Sequence, residues 1–204
     1  MAEGFVIGTD SRAFNKLTER VETDTERKIF AFESSSVSVV FAWAGIVKAR
    51  VLDADFSLIE ISKAILPTVN PEVFGEDLNA RLRKSLSVLR ANTTGRCASG
   101  IFLYLCKGVP MVLEIEVFKN GYTWDSRVSG SGVPNGEIDL VSGGIESKEF
   151  GKPTSLDQAK DWIEDYIRDC IADPRNAEIG GEVHIGKLTS GGFDWMVSPQ
   201  TELP

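Results

Sequence analysis

Histidine is nearly absent from this chain: His184 is the only one among 204 residues. That excludes chemistry needing several imidazoles. Cysteine is scarce as well. Cys97, Cys106 and Cys170 are odd in number, and their spacing fits no zinc motif. A metal site would have to rest on carboxylates alone, and no calcium-loop pattern is present. No metal and no cofactor is therefore expected. Basic residues are in the minority, with 22 Lys and Arg against 30 Asp and Glu and a net charge of -8. A nucleic-acid binder needs the opposite balance, because its cations displace counterions from phosphate. No apolar run reaches the length of a membrane span. Met1 to Ile7 lacks the basic segment and long apolar stretch of a signal peptide. A soluble cytoplasmic protein is the simplest expectation.

What is present is an ordinary globular balance, 42% hydrophobic and 25% charged. That suffices for a sizeable core. With no internal repeat and no linker, the length predicts a single domain over residues 1–204.

Gly4 to Asp10 (GFVIGTD) reads as an apolar strand ending in a polar turn. Lys28 to Glu33 alternates Ile29, Ala31 and Glu33 with Phe30 and Phe32 before Ser34-Ser35-Ser36 breaks it. The β-branched and aromatic run Val37 to Ala44 follows, so the two segments predict a hairpin covered on both faces. The period then lengthens. Asp55 to Leu66 has near-helical spacing and stops at Pro67. In Pro71 to Ala91, Phe74, Leu78, Leu82, Leu86 and Leu89 form one stripe, with Arg81, Arg83, Lys84 and Arg90 elsewhere.

Gly100 to Cys106 and Met111 to Phe118 return to strand character. Asn120-Gly121 is a hairpin-turn signal, with Tyr122 to Val128 as the returning strand. Residues 133 to 153, rich in Gly, Ser and Pro, carry no clear period. Ser155 and Gln158 match a capping box at the start of a helix whose apolar face runs from Leu156 to Cys170. Gly180-Gly181 leads into a strand from Glu182 to Leu188, and Phe193 to Met196 reads as another. Strand groups separated by helix groups indicate an α+β layered domain.

Several of these segments resemble the proteasome β-subunit family of N-terminal-nucleophile hydrolases. Gly4-Phe5-Val6-Ile7-Gly8-Thr9-Asp10-Ser11-Arg12-Ala13 is similar to that family's strand ending in Asp-Ser-Arg. Lys28-Ile29-Phe30 followed by Ala44-Gly45 resembles its lysine strand and Ala-Gly pair. Gly130-Ser131-Gly132 resembles its Gly-Ser-Gly. Gly180-Gly181-Glu182-Val183-His184-Ile185 resembles its closing Gly-Gly and strand.

The resemblance covers Gly4 to about Met196. It implies a four-layer αββα sandwich, two antiparallel sheets between helical layers. It also implies assembly with itself or related subunits into ring-type oligomers, and a peptide or protein substrate if the chain is active.

In such a family the nucleophile is an N-terminal threonine hydroxyl. Its own α-amino group, with a pKa of about 8, accepts the proton. Carried over by resemblance, Asp10 takes the place of the aspartate that orients a lysine, and Lys28 takes that of the lysine. The Gly45 N–H would line the oxyanion hole. Ser131 matches the serine that supports the amine, and Arg12 follows the aspartate as a structural partner.

The chain also departs from the pattern. Met1, Ala2 and Glu3, ahead of the first strand, include no Thr, Ser or Cys. Asn176 and Ile179 stand where an aspartate and a serine are usual. The chain as it stands is thus expected to be inactive. Three readings remain open: a threonine-type peptidase whose N-terminus lies upstream, a non-catalytic ring-forming structural or binding subunit, and an amidohydrolase using Cys97.

Overall fold

The structure, a computed structural model, describes residues 4–15, 18–45, 47–51, 54–86, 96–118 and 153–199. Its first strands are β1 (Gly4–Asp10), β2 (Ala13–Asn15), β3 (Arg20–Thr23), β4 (Ile29–Glu33) and β5 (Val37–Gly45). Next come β6 (Lys48–Val51), β7 (Ala54–Ser57), and the helices α1 (Leu58–Ile65) and α2 (Phe74–Leu86). Then β8 (Arg96–Cys106), β9 (Val109–Phe118), α3 (Leu156–Ala172), β10 (Val183–Thr189) and β11 (Gly192–Val197) complete the described elements. Two compact units divide the chain: Met1–Phe30 with Val133–Pro204, and Ala31–Gly132.

In the first unit, β1, β10 and β11 form an antiparallel sheet in that order. Helix α3 lies on one face. Its Tyr166, Ile167 and Cys170 bury against Val183 and Ile185 of β10, with Val6 of β1 packed alongside. Gly8 permits the close approach, because a Cβ there would run into Ile163 and Ile167. The helix starts where the sequence says. Ser155 Oγ accepts from Gln158 N at 3.1 Å, and the Gln158 side chain reaches back to Thr154 N at 2.7 Å. It ends at Asp173, which adopts extended backbone ahead of Pro174, as a residue preceding proline prefers. Strands β2 and β3 form a separate two-stranded ribbon.

The sheet β4-β5-β8-β9 dominates the second unit, and β4 and β5 are neighbours as expected. Directly opposed residues share a face, so Phe41, Trp43, Phe102 and the position of Gly100 lie together. Phe41 and Phe102 stack at 5.2 Å, and Trp43 meets Phe102 edge-on at 5.8 Å. Trp43 Nε1 donates to the buried Ser62 Oγ of α1 at 2.9 Å. The Trp43 ring occupies the space a Cβ at Gly100 would need, about 2.7 Å away. Phe74 of α2 packs on Tyr104 at 4.9 Å, and Leu78 and Leu82 are fully buried. The β8–β9 hairpin turns at Lys107-Gly108 with φ of 52° and 76°. That pair of positive φ values suits a two-residue turn, and glycine carries the second at little cost.

The expected four-layer αββα sandwich is not the architecture found. More of the described residues are strand than helix. They form one three-stranded sheet, one four-stranded sheet and two two-stranded ribbons, β2–β3 and β6–β7. Among the described residues the α-helices number three, of 8, 13 and 17 residues. Local stops keep them short. The helix expected from Asp55 begins only at Leu58, because residues 54–57 pair as β7 and Ser57 caps the helix by accepting from Glu60 N. Pro67 then lies in a 3-10 turn. The helix expected from Pro71 begins at Phe74, after a 3-10 turn over Pro71–Val73. Motifs of a few residues set such local turns, but they do not set the number of layers. The Asn120-Gly121 turn, the strand from Tyr122 to Val128 and residues 133–152 lie outside the described residues.

Candidate functional site

At the end of β1 the chain turns sharply, and three consecutive residues tie it to distant segments. Asp10 comes first. Its Oδ1 accepts from Lys28 Nζ at 2.8 Å. Its Oδ2 accepts from the backbone N–H groups of Arg12 and Gly180, each at 3.1 Å. The Asp10 and Lys28 side chains are 15% and 22% exposed, so the pair sits just beneath the surface. Both carboxylate oxygens are engaged, and every bond they make is charge-assisted.

Ser11 is fully buried. Its hydroxyl donates to the Asp24 carbonyl and accepts from Glu182 N at 2.6 Å. Its backbone also bridges, with N to Gly180 O at 3.2 Å and O from Glu26 N at 2.8 Å. A hydroxyl so committed and so shielded is a brace, not a nucleophile. Arg12 grips Asp24 with two nitrogens, at 2.6 and 3.3 Å, and points Nη1 at the carbonyls of Ala177 and Ile179, at 3.1 and 3.4 Å. The hydrogen bond from Arg12 holds the Asp24 carboxyl below the usual carboxylate range.

The two glycines follow from this geometry. A Cβ on Gly180 would strike the Arg12 guanidinium. Gly181 has φ +75°, and a Cβ there would strike the Asp24 carbonyl and the Ser11 hydroxyl. At Gly181 only glycine supplies both the backbone shape and the room.

Of the residues singled out in the sequence, the structure brings Asp10 and Lys28 together. Arg12 joins them as a structural partner, binding Asp24 as well. Gly45 ends β5 in the other unit with φ +87°, opposite Ala98 in the register of β5 and β8. Ser131 lies outside the described residues, as does the side chain of Cys97. Asn176 donates to Cys170 O at 3.3 Å, and Ile179 packs on the core beneath α3. Cys170 is buried, and burial pushes its thiol up. His184 is 1% exposed; its Nε2 lies 3.4 Å from Glu182 Oε2, and among the described residues its Nδ1 has no hydrogen-bond partner.

Asp24 was missed in the sequence, and so was the second oxygen of Asp10. The Asp24–Arg12 pair spans 12 residues and the Asp10–Gly180 bond spans 170. Neither carries a periodic signal. Asp24 does stand between Thr23 and Thr25, whose hydroxyls bond each other at 3.0 Å, a polar cluster typical of a turn.

The sequence matches no known family and no curated protein. The likeness to proteasome β subunits therefore stands on the motif residues alone. Among the described residues, no three His, Cys, Asp or Glu side chains gather to hold a metal ion. No described helix is long and apolar enough to cross a membrane.

Chemically, the cluster offers a fixed ammonium oriented by a carboxylate. Such an ammonium raises the local positive potential and favours the anionic form of a neighbouring hydroxyl and the neutral form of a neighbouring amine. The cluster contains no free nucleophile among the described residues.

Proposed function

We propose that this chain is a proteasome β-subunit-like protein of the cytoplasm. It works through assembly with copies of itself or related chains, and Asp10 and Lys28 serve its architecture rather than bond cleavage. One observation supports the reading. Asp10-Ser11-Arg12, Lys28 and Gly180-Gly181, three of the separated motifs behind the resemblance, converge in one hydrogen-bonded cluster. Three unrelated sequence matches have no reason to meet in space. The saturation of the Asp10 carboxylate favours a structural role, since it binds two backbone amides besides the lysine.

A second reading, a threonine-type peptidase, is favoured by one feature. Lys28 is partly exposed, and among the described residues Asp10 is its one hydrogen-bond partner. That leaves ammonium protons available to a nucleophile brought beside them.

Two measurements on the native protein separate the readings. Sedimentation velocity is expected to show a defined oligomer, while hydrolysis of fluorogenic peptides stays at the level of the Lys28→Ala variant. Hydrolysis that disappears with Lys28→Ala, together with an intact mass placing threonine at the terminus, overturns the non-catalytic reading. A monomer at all concentrations overturns the assembly.

A further inference from the structure

Two connections of the first unit run without helix or strand: Asp24 to Lys28, ahead of β4, and Asp173 to Glu182, between α3 and β10. Each of the three residues Asp10, Ser11 and Arg12 holds both of them at once. Asp10 takes Lys28 Nζ on one carboxylate oxygen and the Gly180 N–H on the other. The Ser11 backbone accepts from Glu26 N at 2.8 Å and donates to Gly180 O at 3.2 Å. Its hydroxyl donates to Asp24 O and accepts from Glu182 N. Arg12 binds the Asp24 carboxylate on one side and the carbonyls of Ala177 and Ile179 on the other. The connections also touch each other, since a Cβ on Gly181 would strike the Asp24 carbonyl.

Connections of this kind ordinarily open on their own, more easily than the sheet and helix they join. Here the bonds that would let them do so are shared. The Ser11 hydroxyl stands in a chain from the Glu182 N–H to the Asp24 carbonyl, and each bond of such a chain polarises the next. The Arg12 guanidinium is aimed at the 177–179 carbonyls by the same carboxylate that neutralises it. Groups within one network do not contribute independently, so losing one connection weakens the hold on the other.

We propose that Asp10-Ser11-Arg12 is a two-sided latch that makes the two connections one opening unit, so that Lys28 keeps its ammonium in place only while the α3–β10 connection is seated. Freeing residues 177–182 withdraws the Gly180 amide from Asp10, the Glu182 amide from Ser11 and two carbonyls from Arg12. The segment that carries Lys28 then rests on the same three loosened residues. The latch is a conformational device, and it lets a change at the α3–β10 connection reach the one ammonium of the cluster. It is built from contacts inside the first unit alone, so it holds for a monomer and for an oligomer alike.

Native-state amide hydrogen exchange, read residue by residue in low urea, tests this. Glu26 reports on the first connection, Gly180 and Glu182 on the second, and Ile185 to Leu188 of β10 on the sheet behind them. In the unaltered protein the three reporters are expected to share one rate of opening and one urea dependence, below that of β10. In Arg12→Met, which keeps the stem and removes the guanidinium, all three are expected to speed up at least tenfold and by a common factor while β10 keeps its rates. The acceleration at Glu26 is decisive, because its amide bonds to Ser11 and not to Arg12. Faster exchange at Gly180 and Glu182 with Glu26 unchanged overturns the latch, and so does a change below tenfold at all three. Equal acceleration of β10 also overturns it, since the whole unit then opens together. Should Arg12→Met not fold, the unaltered protein decides alone: different urea dependences for Glu26 and Gly180 overturn the proposal.

Discussion

Replacing Asp10 with alanine removes a group that serves three donors at once, and the structure indicates how the loss divides. The N–H groups of Arg12 and Gly180 lose their acceptor, and Lys28 loses its counterion. An unpaired donor costs about 1–3 kcal/mol when buried, and these are only part-buried, so about 1 kcal/mol each is appropriate. The ion pair, near the surface, adds roughly 1 kcal/mol at most. Asp10→Ala is thus expected to cost about 3 kcal/mol, with most of it in the backbone amides.

Lys28→Met makes the contrast. It keeps the apolar stem and leaves both amide bonds intact, so it costs about 1 kcal/mol or less. Urea unfolding followed by circular dichroism reads both variants. With a slope of about 2 kcal/mol/M, Asp10→Ala lowers the midpoint by roughly 1.5 M and Lys28→Met by at most 0.5 M or so. Equal losses for the two variants would refute the reasoning, because the ion pair would then dominate over the amides. An Asp10→Ala loss below about 0.5 kcal/mol would refute it from the other side, by showing that water replaces the carboxylate freely.

Gly181→Ala, strained at positive φ and facing the Asp24 carbonyl and the Ser11 hydroxyl, is expected to lower thermal stability far more than Gly108→Ala. Gly108 shares the positive φ but has open space, and its change costs about 1 kcal/mol. Ser62→Ala leaves the Trp43 indole N–H without its partner and is expected to cost about 1–3 kcal/mol in urea unfolding. The Arg175 hydrogen bonds lower Asp173 to about 2, so its contribution is present above the ordinary carboxylate range and disappears as pH falls toward 2. An NMR titration should place its midpoint there, and Arg175→Ala should return it to the usual range. Burial raises the Tyr104 hydroxyl to about 12, so the folded state is favoured below the ordinary tyrosine pKa and loses that advantage as pH rises through 12. Ultraviolet titration of the native protein against Tyr104→Phe checks it.

Short-range chemistry was legible in the sequence. The strand Gly4–Asp10, the Ser155–Gln158 cap and the buried stripe Phe74, Leu78 and Leu82 each depend on residues within a few positions of one another. Sterics and local hydrogen bonds decide such features before any tertiary contact forms. The same locality explains the errors. Near-helical spacing after Asp55 could not reveal that residues 54–57 would satisfy their backbone in the β6–β7 ribbon. Nor could the short motifs count sheets or layers.

The sequence by itself determined the first strand, the helix cap at Ser155 and the buried stripe of α2, and through its resemblance marked Asp10 and Lys28 as chemically notable. Tertiary structure alone decided what those groups meet: a lysine 18 residues away and a glycine amide 170 residues away on one carboxylate. Strand order and long-range pairing arise from closing loops over many residues, and the cost of that closure leaves no period in the chain to read.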